Sequence, residues 1–395
     1  MDEEERAYWA AWNRIPGMGS RRFQSLLCHF GTAKRAWEAG GHELEEVLAK
    51  AWVEKVKKWR PRIDPERELV LASRLGARLL TWPDRDYPWL LREVADPPPV
   101  LYVKGTIEPR DLLAVAIVGT RNASRRGREM AHLIARGLAE TGVTVVSGLA
   151  RGIDGVAHDS ALRAGGRSLA VLGCGIDRIY PPEHEELSKA LTRQGALLSP
   201  YAPGTPPLPT NFPARNRIIS GLTWGTVVIE AGRSSGALVT AAFACQQNRD
   251  VCAVPGDTAN YSGCLRLISE GAAPVCCADD VLRHLNLARL FRRWQSHEYH
   301  EAAGRGEKAV HPQRVLESPS RRPAPAAEGA SEGLPPGAAG LWGRLQQGSA
   351  TFDELLHLGE LPAGELQILL LRLELAGLVV REEGGRYRAA ARAGG

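Results

Sequence analysis

The feature that most constrains this chain is a series of short, almost wholly apolar segments alternating with longer amphipathic ones between residues 76 and 290. Leu113–Gly119, Val143–Ser147, Ser168–Leu172, Ala196–Ser199, Thr226–Ala231 and Asp250–Val254 have the length and composition of strands. Between them, Arg125–Thr141, Ile153–Ala164, a stretch near Glu183–Arg193 and Gly236–Gln247 have helical spacing. A strand that is apolar on both faces must be covered on both. Strand–helix–strand repeats also return each strand parallel to the last. The pattern therefore predicts an α/β fold, a parallel sheet covered by helices on both faces. Ahead of it, Ala77–Gly105 carries Tyr87-Pro88, Pro97-Pro-Pro99 and a short strand at Val100–Lys104 that extends the sheet edge.

A chain of 395 residues exceeds one ordinary domain. Residues 1–75 are helical in pattern, and a small helical domain, SAM-like or helix-hairpin-helix-like, is expected there. Its apolar positions recur in Tyr8-Trp9…Trp12, Phe23…Leu26-Leu27…Phe30 and Leu44…Val47-Leu48. The turn Ile15-Pro-Gly-Met-Gly-Ser20 reads either as a phosphate-holding hairpin or as a plain helix–helix turn. Residues 291–337 are rich in Pro, Ala and Gly and read as a flexible linker. In 338–395, Leu341–Leu345, Thr351–Leu356 and Ala363–Ala376 read as three helices. Leu378–Arg381, a turn at Gly384-Gly385 and a strand beginning at Arg386 follow them. That order predicts a winged helix.

The 44% apolar content suits a sizeable globular core, and the longest apolar runs are too short to span a bilayer. The acidic start, Met1-Asp-Glu-Glu-Glu-Arg6, lacks the features of a signal peptide, so a cytoplasmic location is expected. Seven cysteines, at 28, 174, 245, 252, 264, 276 and 277, form no CxxC pair. An odd, scattered set argues against a disulfide framework or a zinc site, and no metal or cofactor is expected. A net charge of +5 is compatible with nucleic acid without requiring it.

Ligands of open parallel sheets bind beyond the C-terminal strand ends, which directs attention to the loops there. The first core strand leads into Gly119-Thr-Arg-Asn-Ala-Ser124 and a helix opening on Arg125, Arg126 and Arg128, with Ser124 as N-cap. Cations in a first turn oppose the helix dipole, so arginines 121, 125, 126 and 128 imply an anionic partner. The second strand leads into Ser147-Gly148-Leu-Ala-Arg151-Gly-Ile-Asp154. Asp154 and His158 there are either an acid–base couple or the fixing of a helix end. Gly173-Cys-Gly-Ile-Asp177 contains a GxG, but Arg178 replaces the third glycine of the dinucleotide fingerprint. No GxxxxGK[ST] marks a P-loop. The richest stretch is Asn211-Phe212-Pro-Ala-Arg215-Asn216-Arg217, set before an apolar helix. Phe212 can stack a base while the arginines take phosphates or base edges, which suits single-stranded nucleic acid. Finally Glu230-Ala-Gly-Arg-Ser-Ser235-Gly236 forms another anion-type turn, in which Glu230 is read as orienting its neighbours.

Several of these runs together resemble the DNA-processing protein A (DprA/Smf) family. They are Tyr87-Pro-Trp-Leu-Leu…Asp96-Pro-Pro-Pro-Val-Leu-Tyr-Val-Lys-Gly105, Ala116–Ser124, Val146–Asp154 with Ala157-His158, Val171–Asp177…Tyr180-Pro181, Phe212–Leu222, Ser235–Thr240 and Ala253–Gly256. The resemblance implies an extended Rossmann core that binds single-stranded DNA without catalysis and commonly dimerises. It also implies loading of the RecA recombinase during natural transformation and displacement of single-strand-binding protein. It carries the DNA-binding role to Arg121, Ser124, Ser147, Gly148, Arg151, Phe212, Arg215, Asn216 and Arg217. Local charge adds Arg125 and Arg126, and the last anion-type turn adds Ser235 and Gly236. It suggests Cys264–Val275 as the dimer face. The chain departs from the family pattern at Ser199-Pro200, Cys264-Leu265 and Leu208-Pro-Thr-Asn211. Two rivals have weaker support. A nucleotide phosphoribohydrolase-like enzyme needs a PGGxGTxxE motif that is absent. A winged-helix duplex regulator needs polar residues where Glu365–Ala376 is mainly leucine.

Overall fold

The computed structural model describes residues 1–256, 259–287, 338–357, 379–381 and 386–389, with Leu366, Leu370 and Leu373. The chain divides into two compact units, Met1–Leu285 and Asn286–Gly395.

The first unit is built on one nine-stranded sheet. Its strands are β1 (Arg78–Thr81), β2 (Val100–Gly105), β3 (Ala114–Val118), β4 (Thr144–Ser147), β5 (Ser168–Val171), β6 (Gly195–Ser199), β7 (Gly225–Val228), β8 (Asp250–Ala253) and β9 (Ala273–Pro274). They lie in the order β1-β2-β6-β5-β4-β3-β7-β8-β9. Neighbours from β6 to β9 pair in parallel, while β2 pairs antiparallel with both β1 and β6. β3 to β6 are buried along their whole length, the polar Thr144, Ser147, Ser168 and Ser199 included, as mainly apolar strands covered on both faces require.

The connecting helices are α8 (Arg125–Glu140), α9 (Ile153–Arg163), α10 (Glu185–Gln194), α11 (Asn211–Gly221) and α12 (Ala237–Gln246), following α7 (Trp89–Arg92). After them come α13 (Ser262–Ser269) and α14 (Ala278–His284). Successive strands step one way from β3 to β6 and then the other way from β7 to β9. Right-handed crossovers therefore place α8, α9 and α10 on one face and α12 on the other. One sequence expectation is corrected here. The Phe-Pro-Ala-Arg-Asn-Arg run does not precede a helix but forms the opening turns of α11. Pro213 is tolerated because a first-turn N–H has no intrahelical acceptor to lose.

Six helices precede the sheet: α1 (Glu3–Arg14), α2 (Ser20–Phe30), α3 (Ala33–Glu38), α4 (Gly41–Glu45), α5 (Lys50–Trp59) and α6 (Pro65–Arg74). They share a continuous core with the sheet, in which Trp9, Trp12, Phe23 and Leu44 join Leu79, Tyr102, Ala170 and Leu197. Polar ties reinforce the junction. Arg6 pairs with Asp84 at 2.6 Å, Asn13 Nδ2 donates to the Pro200 carbonyl at 3.0 Å, and Arg14 Nη1 donates to the Pro203 carbonyl at 2.6 Å.

The second unit contains helices at Ala338–Gln347 and Phe352–Leu356 and a three-stranded antiparallel sheet of Ala350–Thr351, Arg386–Ala389 and Val379–Arg381, in that order. Leu345, Leu355, Leu366, Leu370, Leu373, Val379 and Tyr387 form its core. Leu366, Leu370 and Leu373 are helical and spaced i, i+4, i+7. This buries the leucine face of the expected third helix, whose other residues lie outside the described ones. The expected linker over 291–337 likewise lies outside the described residues.

Candidate functional site

The strand order reverses between β3 and β7, and the loops leaving these two strands cannot both cover the same sheet edge. A crevice must open beyond Val118 and Val228, at the point where such sheets bind ligands. A cavity of 560 Å³ lies there, lined by Thr120 and Arg121 after β3, by Phe212, Arg215 and Asn216 of α11, and by Ser234, Ser235 and Gly236 after β7.

Backbone bonds lock its walls. Thr120 N donates to the Glu230 carbonyl at 2.8 Å, and Ile153 N donates to the Thr120 carbonyl at 3.2 Å. Gly152 allows this approach. Its φ is +74°, and a Cβ there would overlap the Thr120 carbonyl. Glu230 is fully buried, and its Oε2 accepts the Ser124 N–H and hydroxyl at 3.0 Å each. Ser124 Oγ in turn accepts Gly127 N at 3.0 Å. The carboxylate thus fixes the N-cap of α8 rather than orienting an arginine.

Phe212 is half-buried, and a Cβ on Gly173 would lie 2.8 Å from its ring. Only glycine at 173 leaves room for that ring. The Arg121 guanidinium stands 5.4 Å from the ring centroid, that of Arg215 5.9 Å, and the Tyr180 ring 5.5 Å. Arg121 is exposed, and among the described residues no carboxylate pairs with it.

The thirteen residues singled out from sequence separate into two groups. Arg121, Phe212, Arg215, Asn216, Ser235 and Gly236 line the cavity together, and the others do not. Arg215 is only 3% exposed. Its Nη1 donates to the Gly148 carbonyl at 2.8 Å and also to the Val171 carbonyl, joining the ends of β4 and β5. This corrects the expectation that Arg215 is free to take phosphates, because the guanidinium is buried and its Nη1 already serves two strand-end carbonyls. Arg217 likewise faces Asp96, 3.1 Å from its carboxylate, and Arg151 pairs with Glu183. Ser147 is buried, its hydroxyl donating to the Ile117 carbonyl at 2.6 Å, and Gly148 N donates to Asp154 at 3.1 Å. Arg125 pairs with Glu129 at 2.8 Å, and Arg126 lies 5.6 Å from the Tyr261 ring centroid. Thr120, Ser234 and Asn260 line the cavity without having been singled out. The first two sit in the quoted turns, where the switch-point rule would have found them, but no sequence signal marks Asn260.

Asp154 and His158 do not form a couple. Burial raises the Asp154 carboxyl above its ordinary range, the Arg215 charge opposing, and the carboxylate accepts from Gly148 N and Ala150 N. Burial pushes His158 down to about 3. Its Nε2 accepts Leu149 N at 3.3 Å, so Nδ1 carries the proton and donates to Ser168 Oγ at 2.7 Å, which passes one on to the Val145 carbonyl. The pair fixes the loop after β4. Among the described residues no three His, Cys, Asp or Glu side chains gather to hold a metal, and no helix is long and apolar enough to cross a membrane.

Comparison with known proteins agrees with this architecture. The sequence model of DNA recombination-mediator protein A matches residues 78–286, and that of the DprA winged helix domain matches residues 323–385. The Smf protein of Synechocystis is 36% identical over 399 residues, covering 98% of this chain and 100% of that protein. The DNA processing protein DprA of Streptococcus pneumoniae is 43% identical over 201 residues, covering 50% of this chain and 71% of that one. An X-ray structure of the pneumococcal protein superposes with a TM-score of 0.63 at 33% identity, over 70% of this chain and 97% of the other. This chain belongs to the DNA recombination-mediator protein A (DprA/Smf) family of DNA-processing proteins.

Proposed function

We propose that the chain binds single-stranded DNA in the cavity between β3 and β7 and acts by binding, without breaking a bond itself. The observation that carries this reading is Phe212, whose ring stands in the cavity beside the exposed Arg121 guanidinium. A flat ring next to an unpaired cation accepts a base and its phosphate from any sequence. Arg121, Phe212, Asn216, Ser235 and Gly236 make the contacts, and Arg215 and Ser124 hold the walls. Arg125, Arg126, Arg151 and Arg217 raise the potential around the opening.

Family membership supports a further expectation. The bound strand is handed to the RecA recombinase during DNA uptake and recombination in the cytoplasm, with single-strand-binding protein displaced. A homodimer formed through Cys264–Val275 extends the track, and the exposed Leu265 of α13 lies within that stretch.

The test is fluorescence anisotropy of a labelled single strand and the matching duplex across a salt series, with wild type and Arg121→Ala. Single-strand-selective binding whose logarithmic salt slope is about −0.7 per phosphate contacted is expected, weakened in the variant. Binding without salt dependence, or equal binding by both proteins, would remove the proposal.

A further inference from the structure

Charge in the N-terminal helices is sharply sorted. Residues 50–62 hold Lys50, Lys55, Lys57, Lys58, Arg60 and Arg62 against the single carboxylate of Glu54. Glu54 is taken by Lys57 at 2.8 Å, and Arg60 donates to the carbonyls of Trp37 and Ala39. α2 opens on Arg21 and Arg22 with no acid in its first turn, although the helix dipole disfavours cations there.

Two of these cations, one from each helix, meet across an aromatic ring. The Arg22 guanidinium lies 4.0 Å from the Trp52 ring centroid and Lys55 Nζ lies 4.5 Å from it. A Cβ on Gly17 would come within 3.1 Å of the same ring, so the Ile15–Ser20 turn packs on it. Helical spacing puts Lys58 one turn beyond Lys55. Among the described residues no carboxylate pairs with Arg21, Arg22, Lys55 or Lys58. An ion-paired surface of a soluble domain alternates its charges. Here unpaired cations outnumber the acids and stand beside a ring, which complements a polyanion that also offers flat faces.

The patch is tied to the cavity. Ser20 Oγ, at the start of α2, donates to the Pro97 carbonyl at 2.6 Å, and Arg217 of α11 binds the neighbouring Asp96. One loop therefore anchors both the helix that opens the patch and the helix that carries Phe212.

We infer that α2 and α5 form a second phosphate-binding surface, over which a single DNA strand continues after leaving the cavity. The inference rests on the single-strand reading of that cavity. Arg21, Lys55 and Lys58 contact the backbone, and the Arg22–Trp52 stack holds the ridge between them.

The test uses the full chain as wild type, Arg21→Glu/Lys55→Glu and Arg121→Ala. Each is titrated with oligothymidylate of about 6 nucleotides, enough for the cavity, and of about 30, enough for both surfaces. The double variant is expected to melt with wild type and to bind the short strand equally. On the long strand it should lose about tenfold in affinity and about 1.4 in salt slope, the loss of two phosphates. Wild-type affinity and slope on the long strand would overturn the inference. So would equal losses at both lengths with a lowered melting temperature, which would make the residues structural. If Arg121→Ala binds like wild type while the double variant fails on the long strand, the surface stands and the cavity reading falls. If wild type binds neither length, both fall. A long duplex bound more tightly than the strand, and lost in the double variant, would overturn the single strand as occupant.

Discussion

Glu230, two residues beyond β7, and Ser124 at the start of α8 are joined twice, the carboxylate Oε2 accepting both the amide and the hydroxyl of Ser124 at 3.0 Å. This contact closes the switch point, because it ties the loop leaving one central strand to the helix entered from the other. Glu230→Ala leaves both donors without an acceptor in a half-buried place, a cost of about 1 kcal/mol. Glu230→Gln keeps an acceptor oxygen and falls between the variant and wild type. Urea unfolding should rank the three proteins in that order. An alanine variant as stable as wild type would show that the contact does not hold the site together.

Arg121 and Arg215 flank the same ring, but they should behave oppositely on substitution. Arg121 is exposed, so Arg121→Ala should alter stability by less than about 0.5 kcal/mol while weakening single-strand binding. Arg215→Ala strips the donors from two strand-end carbonyls and removes the cation beside the buried Asp154. That should cost about 3 kcal/mol and lower the melting temperature by about 5–10 °C in a unit of this size. Calorimetry of the two variants beside wild type decides it. An unchanged melting temperature for Arg215→Ala would return that residue to the DNA-contacting set.

Phe212 should matter through its face. Phe212→Ala removes a stacking platform worth about 1–3 kcal/mol per base, so affinity for a single strand should fall by about 5- to 150-fold. Phe212→Trp should restore most of it, because a larger aromatic face still stacks. Gly173→Ala provides a second route to the same loss. Its methyl would sit 2.8 Å from the ring and push it from its place. Equal affinity for wild type and Phe212→Ala, by anisotropy at moderate salt, would remove stacking from the mechanism.

The parallel core was legible in the sequence because β3, β4 and β5 are buried on both faces, and such strands read as short, mainly apolar runs in which small Thr and Ser are the polar residues. The switch-point cavity was legible for the same reason, since its loops follow recognisable strand ends. α11 was not legible at its start, because Asn211, Arg215, Asn216 and Arg217 break the apolar periodicity that announces a helix. Nor was the burial of Arg215, whose acceptors at Gly148 and Val171 are 67 and 44 residues away. A side chain bonded to distant carbonyls looks in sequence like one bonded to phosphate, because the chemistry of the donor is the same.

His158 gives the site a pH dependence of definite sign. Its folded value is held near 3 by burial, while in the unfolded chain it titrates near the ordinary 6.5. Between these values the unfolded state binds the extra proton, so this group's contribution to stability is complete above about pH 6.5 and declines as pH falls toward 3. Asp154 acts in the opposite sense. Its raised folded value favours the fold at low pH, and that contribution fades as pH climbs above 3.8 through the folded value. Comparing wild type with His158→Gln cancels the Asp154 share. Between pH 7.5 and pH 5, wild type should lose about 2 kcal/mol more unfolding free energy than the variant, by urea titration at each pH. Parallel pH profiles would mean that His158 takes up its second proton as readily in the fold as in the unfolded chain, and Nε2 would then not serve as the acceptor of Leu149 N.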